Sequence, residues 1–167
     1  MYATTLDKKL TKYCKKFDIA KVVCGDEFSY SPTNETITYT VYNFNLDEVF
    51  IELVNKKYLV DIRPFYFIFS LLHEVGHHMT IDDLTEEEMF NDMFCRQIII
   101  PKMENEEECI QAYINLTAED LATTWAIDYI DTHIKECIEM QNKIYKLINH
   151  IYKKKSFQKE MAKKLRG

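Results

Sequence analysis

The positions of the apolar residues predict helices at the start of the chain and over most of its second half. Near the N-terminus, Leu6, Leu10, Tyr13 and Phe17 recur every three or four residues among lysines. Because that spacing places them on one face of an α-helix, we predict an amphipathic helix from about Thr5 to Phe17.

A small sheet is predicted next, from short runs of β-branched and aromatic residues. We assign one strand to AKVVC, which is followed by GDE, and two more to FSYS and ETITYTVYNF. The turn-prone residues PTN separate the last two runs, as expected for a hairpin. The sheet is therefore expected to be small and antiparallel.

Two helical patterns follow the predicted sheet. Asn45 can cap the first helix, because an asparagine side chain accepts a hydrogen bond from the first turn. Pro64 suits the first turn of the second helix, where its missing N–H group is not needed. The predicted inner face of the first helix consists of Leu46, Val49, Phe50, Leu53 and Val54.

Two further helical regions are predicted beyond residue 84. Thr85 and Glu88 form a capping box at the start of a helix that Pro101 ends. Its predicted inward face consists of Met89, Phe90, Met93, Phe94 and Ile98. Thr117, with Asp120 in the box position, opens a last long helical region. The apolar stripe of that region is predicted to include Leu121, Trp125, Tyr129, Ile134, Ile138, Ile144 and Ile148.

This order of elements, a helix, a small sheet and then helices, is typical of the α+β class. We predict a mostly helical single domain at 1–152, with the small antiparallel sheet packed next to the helix that carries the histidines. At 167 residues the chain is long enough to bury one hydrophobic core. A basic C-terminal tail is predicted at 153–167.

Composition and cysteine usage indicate a globular, cytoplasmic protein. Hydrophobic residues make up 47% of the chain and charged residues 29%, with only three Gly and three Pro. The most apolar window, 65–72, is too short to span a bilayer, and the N-terminal residues lack the continuous apolar stretch of a secretory signal. The five cysteines are odd in number and have no C-x-x-C spacing, which argues against a disulfide framework.

The charge of the chain is unevenly distributed. The formal net charge is −6, but residues 153–167 carry +6, so residues 1–152 carry −12. A body this acidic argues against binding of nucleic acid by the domain itself. The basic tail could contact nucleic acid or an acidic partner, although a solvated helix end explains the same residues.

The segment FYFIFSLLHEVGHHMT places three of the five histidines around a glutamate on an apolar helix. His73 and His77 are four residues apart, so their imidazoles lie one turn apart on the same face. Two imidazoles in that relation can bind one zinc ion at about 2.0–2.1 Å. Glu74 lies about 100° further round the helix, where a general base would take a proton from metal-bound water. The H-E-x-x-H pattern therefore predicts two zinc ligands and a base.

Two other residues of this segment bear on the prediction. Since glycine within a helix costs about 1 kcal/mol relative to alanine, Gly76 indicates that something approaches the backbone there, with an adjacent helix as the simplest candidate. His78 lies off the face that His73 and His77 share, so we interpret it as a neighbour of the site or an exposed residue. The alternative for the whole pattern is a pair of core histidines with satisfied hydrogen bonds and a glutamate near the surface.

A catalytic zinc ion usually has a third protein ligand and one open position. The remaining histidines, His133 and His150, are distant in the chain, which favours a carboxylate from a later helix. One candidate is Glu119, at the start of the otherwise apolar helix in NLTAEDLATTWAIDYI. Other carboxylates follow His77 more closely in the preceding helix, although a charged first turn is usually just the solvated start of a helix. These are Glu86, Glu87, Glu88 and Asp92.

Taken together, LLHEVGHHMT and AEDLATTWAIDYI resemble the ImmA/IrrE-type metallopeptidases of phages and mobile elements. In that family H-E-x-G-H is followed downstream by a helix of the form E-x-x-A-x-x-(aromatic)-A. Four residues match this form in order: Glu119, Ala122, Trp125 and Ala126. The resemblance covers mainly residues 37–130.

The resemblance implies a site and a function. It implies His73, His77 and Glu119 as the ligands of one zinc ion, with Glu74 as the catalytic base, which is the gluzincin arrangement. Asp120 is the nearest alternative to Glu119. The implied function is a zinc-dependent metallopeptidase that cuts a protein substrate such as a repressor or a host regulator. The alternative function is a non-catalytic, zinc-stabilised interaction protein that binds a host or regulatory factor.

Two further hypotheses concern the substrate. Tyr113 and Tyr129 flank the Glu119 segment, so either hydroxyl is a candidate donor to the oxyanion that forms during hydrolysis. The predicted strand ETITYTVYNF could pair with an extended substrate by β-strand addition. An ordinary internal hairpin explains the strand residues equally well.

Overall fold

The computed structural model describes the backbone of residues 3–41 and 47–164 and the side chains of residues 5–41 and 47–150. Its helices, in chain order, are α1 (Ala3–Cys14), α2 (Glu48–Tyr58), α3 (Tyr66–Thr80), α4 (Glu86–Phe94), α5 (Glu106–Ile114), α6 (Thr117–Thr132) and α7 (Ile134–Lys164). Its strands are β1 (Lys21–Cys24), β2 (Ser29–Ser31) and β3 (Thr36–Tyr39). These elements form a mostly helical α+β domain, which confirms the predicted fold class.

The sheet is mixed, so the expectation of an antiparallel sheet was wrong. β3 lies in the middle of the sheet, where it pairs antiparallel with β2, as predicted for the hairpin, and parallel with β1. Val22 of β1 lies opposite Ile37 of β3, and both side chains are fully buried. Short alternating runs predict strands but do not determine which strands become neighbours. The order of the strands therefore could not be obtained from the pattern.

Helix α3, which carries the histidines, lies at the centre of the domain. Ten of its fifteen residues are buried, so other elements surround it on most sides. Phe67 packs edge-on against the rings of Phe28 and Tyr39, next to the sheet. Helix α6 packs along α3, and α7 contacts it as well. The sheet therefore lies next to the histidine-bearing helix, as predicted.

The start of α3 is held by a side chain from the distant helix α7. Pro64 lies in a 3₁₀ turn, Arg63–Phe65, immediately before α3, rather than in the first turn of α3 itself. The amide nitrogen of Gln141 donates to the carbonyl oxygen of Pro64, and its oxygen accepts from the backbone N–H of Ile68 at 3.2 Å. The first N–H groups of a helix have no partner within it. Gln141 satisfies one of them inside the core.

Helix α2 begins with a different cap from the predicted one. The N-cap residue is Asp47, whose Oδ1 accepts from the backbone N–H of Phe50 at 2.9 Å. The predicted cap, Asn45, and Leu46 lie outside the described residues. On the predicted inner face, Leu53 and Val54 are buried. Val49 is exposed.

Helix α4 has the predicted cap, but it buries its polar face instead of its apolar face. The capping box of Thr85 and Glu88 is present, which confirms that prediction. The buried residue of α4 is Asp92, whose carboxylate accepts from the backbone N–H groups of Thr117 and Ala118 at 3.0 and 2.7 Å. The predicted inward face was wrong, since its members are all exposed: Met89, Phe90, Met93, Phe94 and Ile98.

This error has a physical cause. Periodicity identifies the residues that share a helix face, but it does not show which face has a neighbour. Here the polar face of α4 binds the N-terminus of α6, and the apolar face is left exposed. Pro101 also does not end α4 directly, because a π-helical turn, Cys95–Ile99, and a 3₁₀ turn, Ile100–Lys102, follow the helix.

The predicted last helical region consists of two helices, α6 and α7. Asp120 does not form a capping box, because Leu116 is the N-cap of α6 and Asp92 accepts from its first N–H groups instead. In α7 the predicted stripe is partly wrong, since Ile134 and Ile138 are exposed. The buried residues of α7 include Cys137, Gln141, Ile144 and Ile148.

Helix α5 was not predicted, although Asn105 caps it by accepting from Glu108 N at 3.1 Å. Within the described part of the chain, none of the helices combines the length and the apolar character needed to cross a bilayer. The basic residues 153–167 fall in the C-terminal part of α7 as far as Lys164, and their side chains lie outside the described set.

Candidate metal centre

The packing of α6 against α3 brings Glu119 to the histidine pair. Glu119 lies in the first turn of α6, with its Oε2 2.9 Å from His73 Nε2 and its Oε1 3.4 Å from His77 Nε2. The two imidazole rings are 4.7 Å apart between their centroids. One donor atom from each of the three residues lies within 4.8 Å of the others. The three residues predicted as metal ligands are therefore close together in space.

Gly76 allows the two helices to approach this closely. A Cβ atom at Gly76 would lie 2.5 Å from the backbone oxygen of Ala122 and 2.9 Å from its Cα. Atoms at these distances overlap, so a side chain at position 76 would push α6 away from α3. The expected approach of an adjacent helix is confirmed. Because Ala122 lies one turn after Glu119, this contact also sets the position of Glu119 relative to the histidines.

Glu119 is almost completely buried, with 2% of its side chain exposed. Burial alone would raise the pKa of its carboxyl group, but hydrogen bonds with His73 and His77 outweigh burial and hold that pKa below its usual range. Burial would likewise lower the pKa of His73, but the hydrogen bond to Glu119 and the charge of Glu119 raise it overall. A carboxylate in this position therefore requires positive charge beside it.

Arg96 supplies part of that positive charge, and the sequence patterns did not single it out. Its Nη2 donates to Glu119 Oε1, and its guanidinium lies 5.0 Å from the centroid of the Tyr113 ring. Arg96 belongs to the π-helical turn that follows α4, and such turns frequently occur at functional sites. The only signal in the sequence is a lone arginine within the apolar segment FCRQIIIP.

Thr123 holds the ring of His73 on the side away from Glu119. Its Oγ1 lies 3.1 Å from His73 Nδ1, while His73 Nε2 faces Glu119. When Nδ1 carries the proton and donates to Thr123, Nε2 has the lone pair that a metal ion needs. Thr123 follows Glu119 by four residues, so helical spacing could have identified it.

We predict that Thr123→Val weakens zinc binding about tenfold, because the ring of His73 loses the acceptor that fixes its orientation. Competition with a fluorescent chelator measures the affinity. Thr123→Ser, which keeps the hydroxyl group, is the matched control and should bind zinc nearly as well as the wild type. Equal affinities for the valine variant and the wild type would show that Thr123 does not orient a ligand.

Glu74 lies beside these residues at the wall of a cleft. Its side chain is buried, with 7% of the residue exposed. Burial raises the pKa of Glu74, although the neighbouring His73 and His77 oppose this rise. The cleft has a volume of about 520 Å³ and is also lined by His77, Glu119 and Arg96. A molecule bound in the cleft would therefore contact Glu74 and the candidate ligands together.

The sheet borders the same cleft through β2. Ser29 and Tyr30 line the cleft, and within the described residues β2 is an edge strand that pairs only with β3. From the sequence, we expected an extended substrate to pair with the strand ETITYTVYNF, which contains β3. That assignment was wrong over Thr36–Tyr39, because β3 pairs with a strand on each side.

The other candidate carboxylates have different partners. Asp120 pairs with Lys57 at 2.6 Å. Glu88 accepts in the capping box of α4, and Asp92 caps α6. Within the described part of the chain, none of these residues joins the group that could hold a metal ion. The remaining candidates, both exposed at the start of α4, are Glu86 and Glu87.

His78 lies near the cleft but outside the metal group. Its Nδ1 is 2.6 Å from the hydroxyl group of Tyr30, and the two rings contact edge-on. Tyr30 in turn lines the cleft. His78 therefore lies where the sequence placed it, off the face of the ligands and next to the site.

The two tyrosines proposed as oxyanion donors lie in different places. Tyr113 lines the cleft, and its hydroxyl is 3.5 Å from Nη1 of Arg96. Tyr129 lies ten residues after Glu119, which is roughly 15 Å along the axis of α6. The hydroxyl of Tyr129 accepts from Lys16 Nζ at 2.6 Å. Tyr113 is therefore close to the candidate site, and Tyr129 is not.

The donor set fits a divalent cation. Two imidazole nitrogens and one carboxylate oxygen are ligands that zinc prefers, and three protein ligands leave a position for a further molecule. A cation between them would supply the positive charge that buried Glu119 requires. We conclude that His73, His77 and Glu119 could hold a metal ion.

Comparisons with known proteins identify no relative: no family model, no curated protein and no solved structure matches this chain. The resemblance to ImmA/IrrE-type metallopeptidases therefore rests on the two sequence motifs.

Proposed function

We propose that this protein is a zinc-dependent metallopeptidase that hydrolyses a peptide bond in a protein substrate. The observation that supports this proposal most strongly is the convergence of His73, His77 and Glu119, with Glu74 beside them at the wall of an open cleft. Two neutral nitrogen ligands, one carboxylate and an adjacent general base are the groups that metal-assisted hydrolysis requires.

The zinc ion would be held by His73 Nε2, His77 Nε2 and a carboxylate oxygen of Glu119. When bound, zinc would act as a Lewis acid that polarises the scissile carbonyl group and lowers the pKa of water to about 7. Thr123 orients the ring of His73, and the contact between Gly76 and α6 keeps Glu119 in place.

Glu74 would act as the general base. It accepts a proton from the attacking water molecule and then delivers that proton to the leaving amine, so that one carboxylate serves both steps. Burial raises the pKa of Glu74, which makes its carboxylate a stronger base than one in water. Its place on α3, one residue after His73, keeps it beside the metal ligands without binding the ion.

Arg96 and Tyr113 are the proposed donors to the oxyanion. Both line the cleft, and burial raises the pKa of the Tyr113 hydroxyl, so that this group keeps its proton at neutral pH. Fixed donors aimed at the developing negative charge stabilise the tetrahedral state. An extended segment of the substrate would add to the edge strand β2, which borders the cleft.

Two histidines on one helix and a glutamate on a later helix form the gluzincin arrangement. The motifs around His73 and Glu119 support membership of the ImmA/IrrE-type metallopeptidases. On that basis we propose a regulatory protein, such as a repressor or a host regulator, as the substrate, cut at few sites.

Removal of the metal tests this function. We expect the purified protein to cut members of a proteome-derived peptide library, as measured by mass spectrometry. Treatment with 1,10-phenanthroline should abolish cleavage, because removal of zinc leaves the site without a Lewis acid. A stoichiometric amount of zinc, added after the chelator has been dialysed away, should restore cleavage. Cleavage that persists in the chelator, or zinc-loaded protein that cuts no member of the library, would contradict the proposal.

One observation favours a second function, a non-catalytic interaction protein stabilised by zinc. The apolar residues of α4 are exposed, as in proteins that bind a partner. In that case zinc should raise the thermal stability of the protein. A Glu74→Gln variant should then act in cells as strongly as the wild type, whatever cellular activity the wild type shows. Loss of that effect in the variant would exclude this alternative.

A further inference from the structure

Exposed apolar side chains are concentrated next to the candidate metal centre. Of the thirteen large hydrophobic residues that are exposed in the described part of the chain, eight lie between Met79 and Ile99. An exposed apolar patch of this kind commonly marks a binding surface. We define the apolar face of α4 as the six that lie on α4 and the π-helical turn after it: Met89, Phe90, Met93, Phe94, Ile98 and Ile99.

This face forms one surface that reaches the cleft. Met89 and Met93 lie one helical turn apart, as do Phe90 and Phe94, so each pair covers adjacent parts of the surface. Met89 also lines the cleft that contains Glu74. A chain bound along the apolar face would therefore lead into the cleft.

Acidic residues flank the apolar face along the chain. Between residues 79 and 108, ten acidic residues stand against two basic ones, which gives a formal net charge of −8. Six of these acids lie in the first turns of α4 and of α5: Glu86, Glu87, Glu88, Glu106, Glu107 and Glu108. A partner that covers the face must therefore be apolar at its centre and positively charged at its edges.

We propose that the apolar face of α4 binds an amphipathic segment of the protein substrate in which lysine and arginine flank a stripe of leucine- or phenylalanine-like side chains. The flexible side chains of Met89 and Met93 can adapt to partners of different shape. The name substrate rests on the proposed function, whereas the binding itself requires neither zinc nor Glu74. The face would hold this segment while an adjacent stretch of the same chain enters the cleft.

Three labelled peptides of equal length test this proposal. The first carries lysine and leucine in an amphipathic helical pattern, the second replaces each lysine with glutamate, and the third replaces each leucine with serine. Fluorescence anisotropy measures their binding to the full chain at low and high salt. We expect the first peptide to bind at least about tenfold more tightly than the others. The affinity of the first peptide should fall at high salt, because salt screens the acidic residues near the face.

Two double variants connect this binding to the apolar face. Phe90→Ser combined with Phe94→Ser should reduce the affinity for the lysine–leucine peptide at least about tenfold, because it removes the two aromatic side chains of the face. Ile134→Ser combined with Ile138→Ser alters exposed apolar residues of α7 and should leave binding unchanged. Circular dichroism checks that both variants are folded.

Three results would overturn the proposal. The first is equal binding of the lysine and glutamate peptides, which would show unspecific hydrophobic contact. The second is unchanged binding by the phenylalanine double variant. The third is self-association of the wild type that the double variant abolishes while the peptide does not bind, which would assign the face to a second copy of the chain.

The same experiment separates this proposal from the proposed function. Binding is measured with the Glu74→Gln variant and with chelator-treated protein, where no hydrolysis occurs. Binding of the peptide without cleavage of any library member would support the docking site and contradict the proposed peptidase function. Cleavage of a protein substrate that does not depend on Phe90 and Phe94 would support the peptidase function and contradict the docking site.

Discussion

Replacement of Glu74 by glutamine is expected to reduce peptide hydrolysis at least about hundredfold and to leave one zinc ion bound. A general base contributes typically a factor of about 10² to 10⁴ to the rate, and glutamine cannot accept the proton of the attacking water. The zinc ion should remain, because His73, His77 and Glu119 are unchanged and Glu74 lies beside them rather than among them. Glutamine also has nearly the same shape, so the buried position is still filled.

The measurement combines initial rates on a peptide from the library with zinc content by inductively coupled plasma mass spectrometry. Glu27→Gln is the matched control, since Glu27 also lines the cleft but lies outside the metal group. We expect this control to keep its zinc and most of its activity. Full activity of the Glu74 variant would show that another group is the base, and loss of its zinc would show that Glu74 helps to hold the ion.

Gly76→Ala is expected to destabilise the protein by about 1–3 kcal/mol, even though alanine favours the helix by about 1 kcal/mol relative to glycine. The added methyl group would lie 2.5 Å from the backbone oxygen of Ala122. Backbone atoms cannot move aside as a flexible side chain can, so α6 must shift away from α3. Because α6 carries Glu119, zinc affinity should fall as well.

Urea denaturation measures this change in the free energy of unfolding, with and without zinc. Met79→Ala, at an exposed position of the same helix, is the control and should change the free energy by less than about 0.5 kcal/mol. A Gly76→Ala variant as stable as the wild type would contradict the close packing of α3 and α6. It would also remove the physical explanation for a glycine in the middle of the site helix.

Local patterns predicted the elements of the fold better than their arrangement. The capping box of Thr85 and Glu88 depends on residues three positions apart, so the sequence contains all the information it needs. The neighbour of α4 depends on residues far away in the chain. Asp92 binds the start of α6, and for this reason the apolar residues that the pattern placed inward are exposed. The parallel pairing of β1 with β3 is another such non-local property.

In the candidate site, too, the local relations could be predicted from the sequence better than the contacts between distant residues. His73, Glu74 and His77 lie within one helical turn of each other, so their relation follows from helix geometry alone. Glu119 lies 46 residues from His73. Its place at the start of an apolar helix made it one of several candidates, and the resemblance to a known motif favoured it. Arg96 reaches Glu119 from a π-helical turn, whose backbone no residue pattern in the segment predicts.

The metal content of the purified protein tests the central claim most directly. Protein purified without added zinc should contain about one zinc ion per chain, and both His77→Ala and Glu119→Ala should lose it, because each removes one of three ligands. His78→Ala is the matched control and should retain the ion, since His78 contacts Tyr30 instead. A wild-type protein without stoichiometric metal, or a His77→Ala variant that still holds one zinc ion per chain, would contradict the claim that these three residues form a metal site.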